Sequence, residues 1–179
     1  ASCQHYEQGH YAAYRSIAAD HLDLVVHVGD YIYEGRGQRG VRTHDAPEAH
    51  TLDDYRLRYA IYKADANLQA AHASAPWLMT TDDHEVANDY AGEHSATDDP
   101  PEWFAARRAA AYRAYYEHQP LPRRCVPFAG RQRLYMTRAF GDLGELAEDI
   151  GDARKQRFRL FHAAEGEHAK IPATENLGR

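Results

Sequence analysis

The segment Asp82-Asp-His-Glu85 brings three carboxylates and one imidazole together within four consecutive residues. Like charges this close repel one another unless a cation or the protonated imidazole neutralises them. Carboxylate oxygens and imidazole nitrogens are also common ligands of metal ions. The segment comes soon after the apolar residues Trp77-Leu-Met79, which makes a fully solvated loop harder to assume. The residues themselves leave two interpretations open, a metal or phosphate site and a solvated acidic loop.

A second segment suited to chemistry is Gly29-Asp-Tyr-Ile-Tyr33, in which a carboxylate is followed three residues later by a phenol. A carboxylate can bridge two cations through its two oxygens, and a phenolate is a hard anionic ligand suited to iron(III). A simple turn after a strand is the competing interpretation of this segment. Cys3 is equally open, because most free cysteines are small buried thiols rather than metal ligands.

Each of these two segments follows a short apolar stretch with the character of a buried parallel strand, at residues 23–28 and 76–81. Apolar spacing predicts helices, and alternation around Gly141-Asp142 predicts a hairpin. The predicted helices span 10–19, 52–71, 103–118 and, marginally, 152–165, and the hairpin spans 131–146. Strands that alternate with helices indicate an α/β fold, in which ligands gather beyond the carboxyl ends of the strands.

Composition narrows the classes of partner. The chain has 179 residues, with 21 Lys and Arg against 27 Asp and Glu, and a formal net charge of -6. Its Arg residues are scattered rather than gathered into a basic stripe, which argues against nucleic acid as a partner. No run of hydrophobic residues exceeds four, far below the roughly 20 needed to cross a bilayer, so no membrane span is predicted.

The segments described above and several other short sequence blocks follow one another in a defined order along residues 1–146. They are Ala1-Ser-Cys-Gln4, Gly29-Asp-Tyr-Ile-Tyr-Glu34, Thr51-Leu-Asp-Asp-Tyr-Arg56, Pro76-Trp77, Asp82-Asp-His-Glu85 with Asn88, Arg108-Ala-Ala-Ala-Tyr112, Tyr115-Tyr116, Arg133-Leu-Tyr135 and Phe140-Gly-Asp-Leu143. In order and approximate spacing these blocks resemble the PhoD-like alkaline phosphatases, within the calcineurin-like metallophosphoesterase superfamily. The agreement of several separate blocks makes the resemblance specific.

The resemblance implies a truncated metallophosphoesterase-type α/β/β/α sandwich, which we expect to contain mainly one mixed sheet with flanking helices. It also implies a cluster of iron(III) with calcium that hydrolyses phosphomonoesters and phosphodiesters through a metal-activated water. By the same resemblance, Asp30 matches the bridging carboxylate and Tyr33 the phenolate on iron. Cys3 matches the thiolate ligand of this family.

The resemblance also implies roles for residues of the Asp82–Glu85 segment. Asp83 occupies the place of the metal-binding Asn in the superfamily's Gly-Asn-His-Glu motif, so the resemblance implies that it binds the second cation. His84 matches the catalytic His that helps neutralise the phosphoryl group. Asp82 is the less certain neighbour of these two residues. We therefore expect metal ligands at Cys3, Asp30, Tyr33 and Asp83, and a catalytic role for His84.

The resemblance ends after Leu146. We expect residues 1–146 to be the N-terminal part of a metallophosphatase catalytic domain and residues 147–179 to be a divergent, weakly structured tail. Matches to the remaining metal ligands of the family are missing from that tail. Two hypotheses follow, a phosphoester hydrolase represented by part of its catalytic domain, and a non-catalytic remnant that binds a cation or a protein partner. A small phosphoester substrate, self-association through exposed sheet edges and a secreted or periplasmic location complete the expectations.

Overall fold

The computed structural model describes residues 1–37, 40–140, 145–150 and 156–161. The chain forms two compact units, the first spanning Ala1–Arg133 and the second beginning at Leu134. In chain order the elements are α1 (Ala12–Ala19), β1 (Val25–Val28), α2 (Leu52–Lys63), α3 (Ala66–Ser74), β2 (Trp77–Thr80), α4 (Pro101–His118), β3 (Met136–Ala139), β4 (Glu145–Ile150) and β5 (Gln156–Phe161). No helix in the described ranges is long and apolar enough to cross a membrane.

The first unit is built around the parallel pair β1 and β2, in which Val28 lies opposite Thr80. Residues 1–4 also pair with β1. The amino group of Ala1 donates to the carbonyl of Val26 at 2.7 Å, and the N–H of Val28 donates to the carbonyl of Ala1 at 2.9 Å. This pairing fixes the first residues beside the carboxyl end of β1.

The prediction of an α/β fold with helices around a sheet is confirmed. The strands do not join into one mixed sheet, however. Strands β1 and β2 form a two-stranded sheet, and β3, β4 and β5 form a separate three-stranded sheet. The connections account for the strand direction within each sheet, because a parallel pair needs a long crossover, here through α2 and α3, whereas short connections join antiparallel neighbours.

Tyrosine supplies much of the core of the first unit, which accounts for part of the chain's 13 tyrosines. Tyr55, Tyr59 and Tyr62 are spaced three and four residues apart along α2, so they share one face of the helix, and all three are fully buried. Helix α2 packs against α4. The buried residues of α4 are Phe104, Arg107, Arg108, Ala111, Ala114 and Tyr115.

The predicted helix over 52–71 is two helices, α2 and α3. Its start is confirmed, because the Thr51 side chain accepts from the N–H of Asp54 while the Asp54 side chain accepts from the N–H of Thr51. The break arises at Asp65, whose side chain accepts hydrogen bonds from the first backbone amides of α3. An N-cap residue has non-helical backbone angles, so one helix ends before Asp65 and the next begins after it. The apolar spacing of the sequence runs on through this residue and therefore does not reveal where the helices separate.

The second unit is an antiparallel sheet in which β4 lies between β3 and β5. The predicted hairpin is confirmed by the pairing of β3 with β4, and its turn at Gly141-Asp142 lies outside the described residues. The predicted helix over 152–165 is wrong at residues 156–161, which form β5, and its remaining residues lie outside the described ranges. The alternation in Gln-Arg-Phe-Arg-Leu-Phe161 fits a strand, for which β4 is the partner that the sequence pattern did not reveal.

Arg58 of α2 anchors the loop between β1 and α2. Its fully buried guanidinium donates hydrogen bonds to three backbone carbonyls, those of Tyr33, Gly35 and Pro47, the latter two at 2.7 and 2.6 Å. Burial lowers the pKa of this guanidinium from its ordinary value. The loop is therefore held to α2 through its own backbone.

Replacing Arg58 with methionine should lower the free energy of unfolding by about 3 kcal/mol, because three backbone carbonyls lose hydrogen bonds from a charged, buried donor. Arg56→Met is the matched control, since Arg56 lies on the same helix but pairs with Glu117 at the surface. That variant should change stability much less. Urea unfolding of the two variants tests the expectation, and equal losses would contradict it.

His27 of β1 is fully buried, and neither of its ring nitrogens has a hydrogen-bond partner among the described residues. The imidazole stacks on the indole of Trp77 at a centroid distance of 6.2 Å and contacts the ring of Tyr31. Burial lowers the pKa of His27 to about 3. The folded protein therefore holds this imidazole in its neutral form at ordinary pH.

The free energy of unfolding should fall by about 2 kcal/mol between pH 7 and pH 5 on account of His27, because the unfolded state takes up a proton near pH 6.5 and the folded state does not. His27→Leu should lose this share of the pH dependence, and the exposed-site variant His94→Leu should keep it. Burial also lowers the pKa of His72, to about 4, so both variants keep a further loss of stability toward low pH that His72 causes. Urea unfolding at several pH values measures the difference, and identical profiles would count against the assignment.

Candidate metal centre

The two segments singled out in the sequence meet because β1 and β2 are parallel neighbours. Asp30 comes two residues after the end of β1, and Asp83 comes three residues after the end of β2. The carboxyl ends of parallel strands lie at the same edge of a sheet. The pairing therefore confirms that both acidic segments lie beyond the same strand ends.

The loops after the two strands approach each other closely at Gly29. A Cβ atom built on Gly29 would lie 2.3 Å from the backbone nitrogen of Asp82, and the φ of Gly29 is +101°. Only glycine fits both the left-handed backbone and the contact. Asp30 also has a positive φ of 54°, which is uncommon outside glycine and concentrates at functional sites.

Asp30, Asp83 and His84 form the candidate site. Each offers a ligand atom, and these three atoms all lie within 4.8 Å of one another. Asp30 is buried; its Oδ2 accepts from the Tyr33 hydroxyl at 3.1 Å, whereas its Oδ1 is buried without a hydrogen-bond partner among the described residues. A buried carboxylate oxygen that is left unpaired is costly, and a cation is one partner that would satisfy it.

Tyr33 lies beside this group, between two imidazoles. Its ring centroid is 4.4 Å from that of His5 and 4.1 Å from that of His84. Burial and the neighbouring Asp30 carboxylate raise the pKa of the Tyr33 phenol. Without a cation the phenol keeps its proton and donates it in the hydrogen bond to Asp30.

Cys3 reaches the site from the first residues of the chain. Its N–H donates to the carbonyl of Gly29 at 3.2 Å, and burial and the neighbouring Asp30 raise the pKa of its thiol. The thiol thus lies beside Asp30 but outside the group formed by Asp30, Asp83 and His84. Asp82 also lies outside that group, although it interacts electrostatically with Cys3.

His84 is held by Glu34, a residue to which the sequence analysis gave no role. Nδ1 of His84 lies 2.7 Å from one carboxylate oxygen of Glu34, and the other oxygen accepts from the N–H of Asn88 at 2.7 Å. Burial alone would lower the pKa of His84, but the hydrogen bond and charge of Glu34, together with Asp30 and Asp83, raise it to about 9. The imidazole is therefore positively charged near neutral pH and offsets the surrounding carboxylates.

Asp83 is fixed by the loop that follows it. Its Oδ2 accepts from the N–H of Asp89, and its carbonyl accepts from the N–H groups of Val86 and Ala87 at 2.8 and 2.9 Å. Burial raises the pKa of Asp30, and the charge of Asp83 raises it further. Two carboxylates held this close favour a bound cation, which would lower the repulsion between them.

Comparison with known proteins identifies relatives of this chain. The family model of the PhoD-like phosphatases matches residues 1–169. Alkaline phosphatase D of Bacillus subtilis (strain 168) is 48% identical over 163 residues, which cover 88% of this chain and 28% of that protein. A solved structure described as "Structure of PhoD" is similar with a TM-score of 0.77 and 48% identity, covering 82% of this chain and 29% of the other. This chain thus spans less than a third of the length of either relative.

The close approach at Gly29 generates a stability prediction. Gly29→Ala should lower the free energy of unfolding by about 3 kcal/mol, because the new methyl meets the backbone of Asp82 in a left-handed conformation. Gly35→Ala is the control, since a Cβ there has no atom within 4 Å, and its effect should stay below about 1 kcal/mol. Thermal and urea unfolding measure both changes, and a tolerated Gly29→Ala would show that the two loops are not in contact.

Proposed function

Because the chain belongs to the PhoD-like phosphatase family, we propose that it contributes part of the metal site of a phosphoester hydrolase. The observation that carries the proposal is the group of Asp30, Asp83 and His84, whose ligand atoms lie within 4.8 Å of one another at the ends of two parallel strands. The substrates of the proposed hydrolase would be small phosphoesters. The fold that we expect around the site is the metallophosphoesterase-type sandwich.

The residues present fit iron(III) and calcium as the ions of this site. The buried, unpaired Oδ1 of Asp30 offers an anionic oxygen, and Asp83 offers a second carboxylate. Once deprotonated, the phenol of Tyr33 and the thiol of Cys3 supply strongly binding anionic donors that suit iron rather than calcium. We propose that Asp30, Cys3 and Tyr33 would hold the iron, and that Asp30 and Asp83 would hold the second ion.

When bound, such ions lower the pKa of a coordinated water and hold the oxygens of the phosphate. The side chains of the chain itself have separate tasks. Tyr33 releases to solvent the proton that it otherwise shares with Asp30. Glu34 holds Nδ1 of His84, so that the charged imidazole stays beside the carboxylates, where it would neutralise a phosphoryl oxygen.

A second candidate function rests on the number of metal ligands that the named site residues provide. Iron and calcium commonly take about six or more ligands each. Cys3, Asp30, Tyr33 and Asp83 provide four side-chain ligands, about a third of the roughly twelve ligand positions of two such ions. A chain that binds a cation without turning over an ester is therefore the alternative to an active hydrolase.

Iron binding gives a direct test through colour, because a phenolate on iron(III) produces a visible charge-transfer band. Iron-loaded parent protein should show this band, and Tyr33→Phe should lose it while keeping its fold. Tyr116→Phe, on helix α4, is the matched control and should match the parent in colour. Asp30→Asn should lose most of the bound iron and any hydrolysis of p-nitrophenyl phosphate. Metal analysis, absorption spectra and initial rates are the measurements.

The outcomes separate the candidates. A parent that binds iron in a Tyr33-dependent manner and hydrolyses the ester supports the hydrolase. Iron binding without turnover selects the non-catalytic alternative. A parent that retains no iron and shows the same hydrolysis rate as Asp30→Asn would remove the metal site from consideration.

A further inference from the structure

Glu85 is the buried carboxylate of the Asp82–Glu85 segment, and it takes no part in the candidate metal site. It is 1% exposed, and its side chain lies in the interior between the loops that follow β1 and β2. Burial and the charge of Asp30 raise the pKa of Glu85 to about 8, and no cationic side chain among the described residues is hydrogen-bonded to it, so this buried carboxyl group depends on other hydrogen bonds. Its environment therefore needs an explanation that metal binding does not supply.

The stabilisation comes from backbone amides on both loops. One carboxylate oxygen of Glu85 accepts from the N–H of Tyr31 at 2.5 Å, and the other accepts from the N–H of Asp82 at 2.8 Å. The N–H of Asp30 also interacts with this carboxylate. Glu85 thus connects the loop that carries Asp30 to the loop that carries Asp83.

The connection involves backbone amides that lie beyond the end of β1, outside its pairing with β2. Gly29 and Asp30 both have positive φ, and the N–H groups of Asp30 and Tyr31 follow the end of β1. Buried amides beyond the end of a strand must find an acceptor outside the sheet ladder. One carboxylate with two oxygens meets this need for both loops at once.

We propose that Glu85 is a positioning residue, whose carboxylate holds the loops after β1 and β2 in the arrangement that brings Asp30 and Asp83 together. The inference rests on the proposed function, because the arrangement matters only if these residues bind cations. Glu85 itself binds no ion in this scheme. It holds the backbone of Tyr31, which follows Asp30, and the backbone of Asp82, which precedes Asp83.

A purely electrostatic role makes a different prediction from a positioning role. Glu85→Gln keeps the size of the side chain but has a single acceptor oxygen, so it can serve one loop and must present an amide donor to the other. Glu85→Asp keeps the carboxyl group with both oxygens but moves them back by one methylene. A positioning role is impaired by both variants, whereas a role through charge alone is preserved in Glu85→Asp.

Terbium(III), a hard cation whose luminescence neighbouring tyrosine sensitises, serves as the probe. Parent, Glu85→Gln, Glu85→Asp, the exposed-site control Glu102→Gln and the ligand variant Asp30→Asn are titrated with terbium alone. We expect Glu85→Gln and Glu85→Asp each to weaken binding about 10-fold to 100-fold, the range found when residues that orient metal ligands are changed. Glu102→Gln should bind as the parent does.

Amide hydrogen exchange without metal is the second readout. In the parent, the amides of Tyr31 and Asp82 should exchange as slowly as those of β1 and β2. In Glu85→Gln their exchange should accelerate at least about 10-fold while the amides of α4 keep their protection, which a general loss of stability would not produce. This measurement on the parent holds even if a Glu85 variant does not fold.

The results distinguish the two proposals. A parent that binds terbium no better than Asp30→Asn overturns the proposed metal site. A parent that binds terbium through Asp30, together with unchanged affinity in Glu85→Gln or full affinity in Glu85→Asp, overturns the positioning role alone. Fast exchange at Tyr31 and Asp82 in the parent also overturns it.

Discussion

The parallel pairing of β1 with β2 is the constraint on which the candidate site depends. It places two loops at one edge of the sheet, and the missing side chain of Gly29 lets the first loop touch the backbone of Asp82. Asp30 and Asp83 can share a cation only while this contact is kept. The site is therefore a property of two strand ends and not of either motif, since each motif supplies one carboxylate of the pair.

The acidic residues around the site are neutralised in different ways. Glu34 is paired with the imidazolium of His84, and Glu85 is solvated by backbone amides. Asp30 is only partly satisfied, because one of its oxygens accepts from Tyr33 and the other has no partner among the described residues. The local excess of negative charge is thus concentrated on Asp30 and Asp83, which is where a cation gains most.

Sequence patterns indicated β1, β2 and the acidic segments that follow them, because short apolar runs and acidic clusters are local signals. They did not reveal Glu34, because its partner His84 lies 50 positions away in the chain. They also missed the break at Asp65, since a capping side chain interrupts a helix without interrupting its apolar spacing. Strand β5 was mistaken for a helix because a strand is defined by its partner, and pairing with β4 is not visible in either segment alone.

The anchoring of the loop between β1 and α2 has a consequence for how such a protein can change over time. Arg58 recognises carbonyl oxygens, which every residue type possesses. At half-buried Gly35 and exposed Pro47, one side chain can therefore replace another while the loop stays hydrogen-bonded to α2. A surface next to the reactive groups can therefore diversify while the scaffold beneath it stays the same.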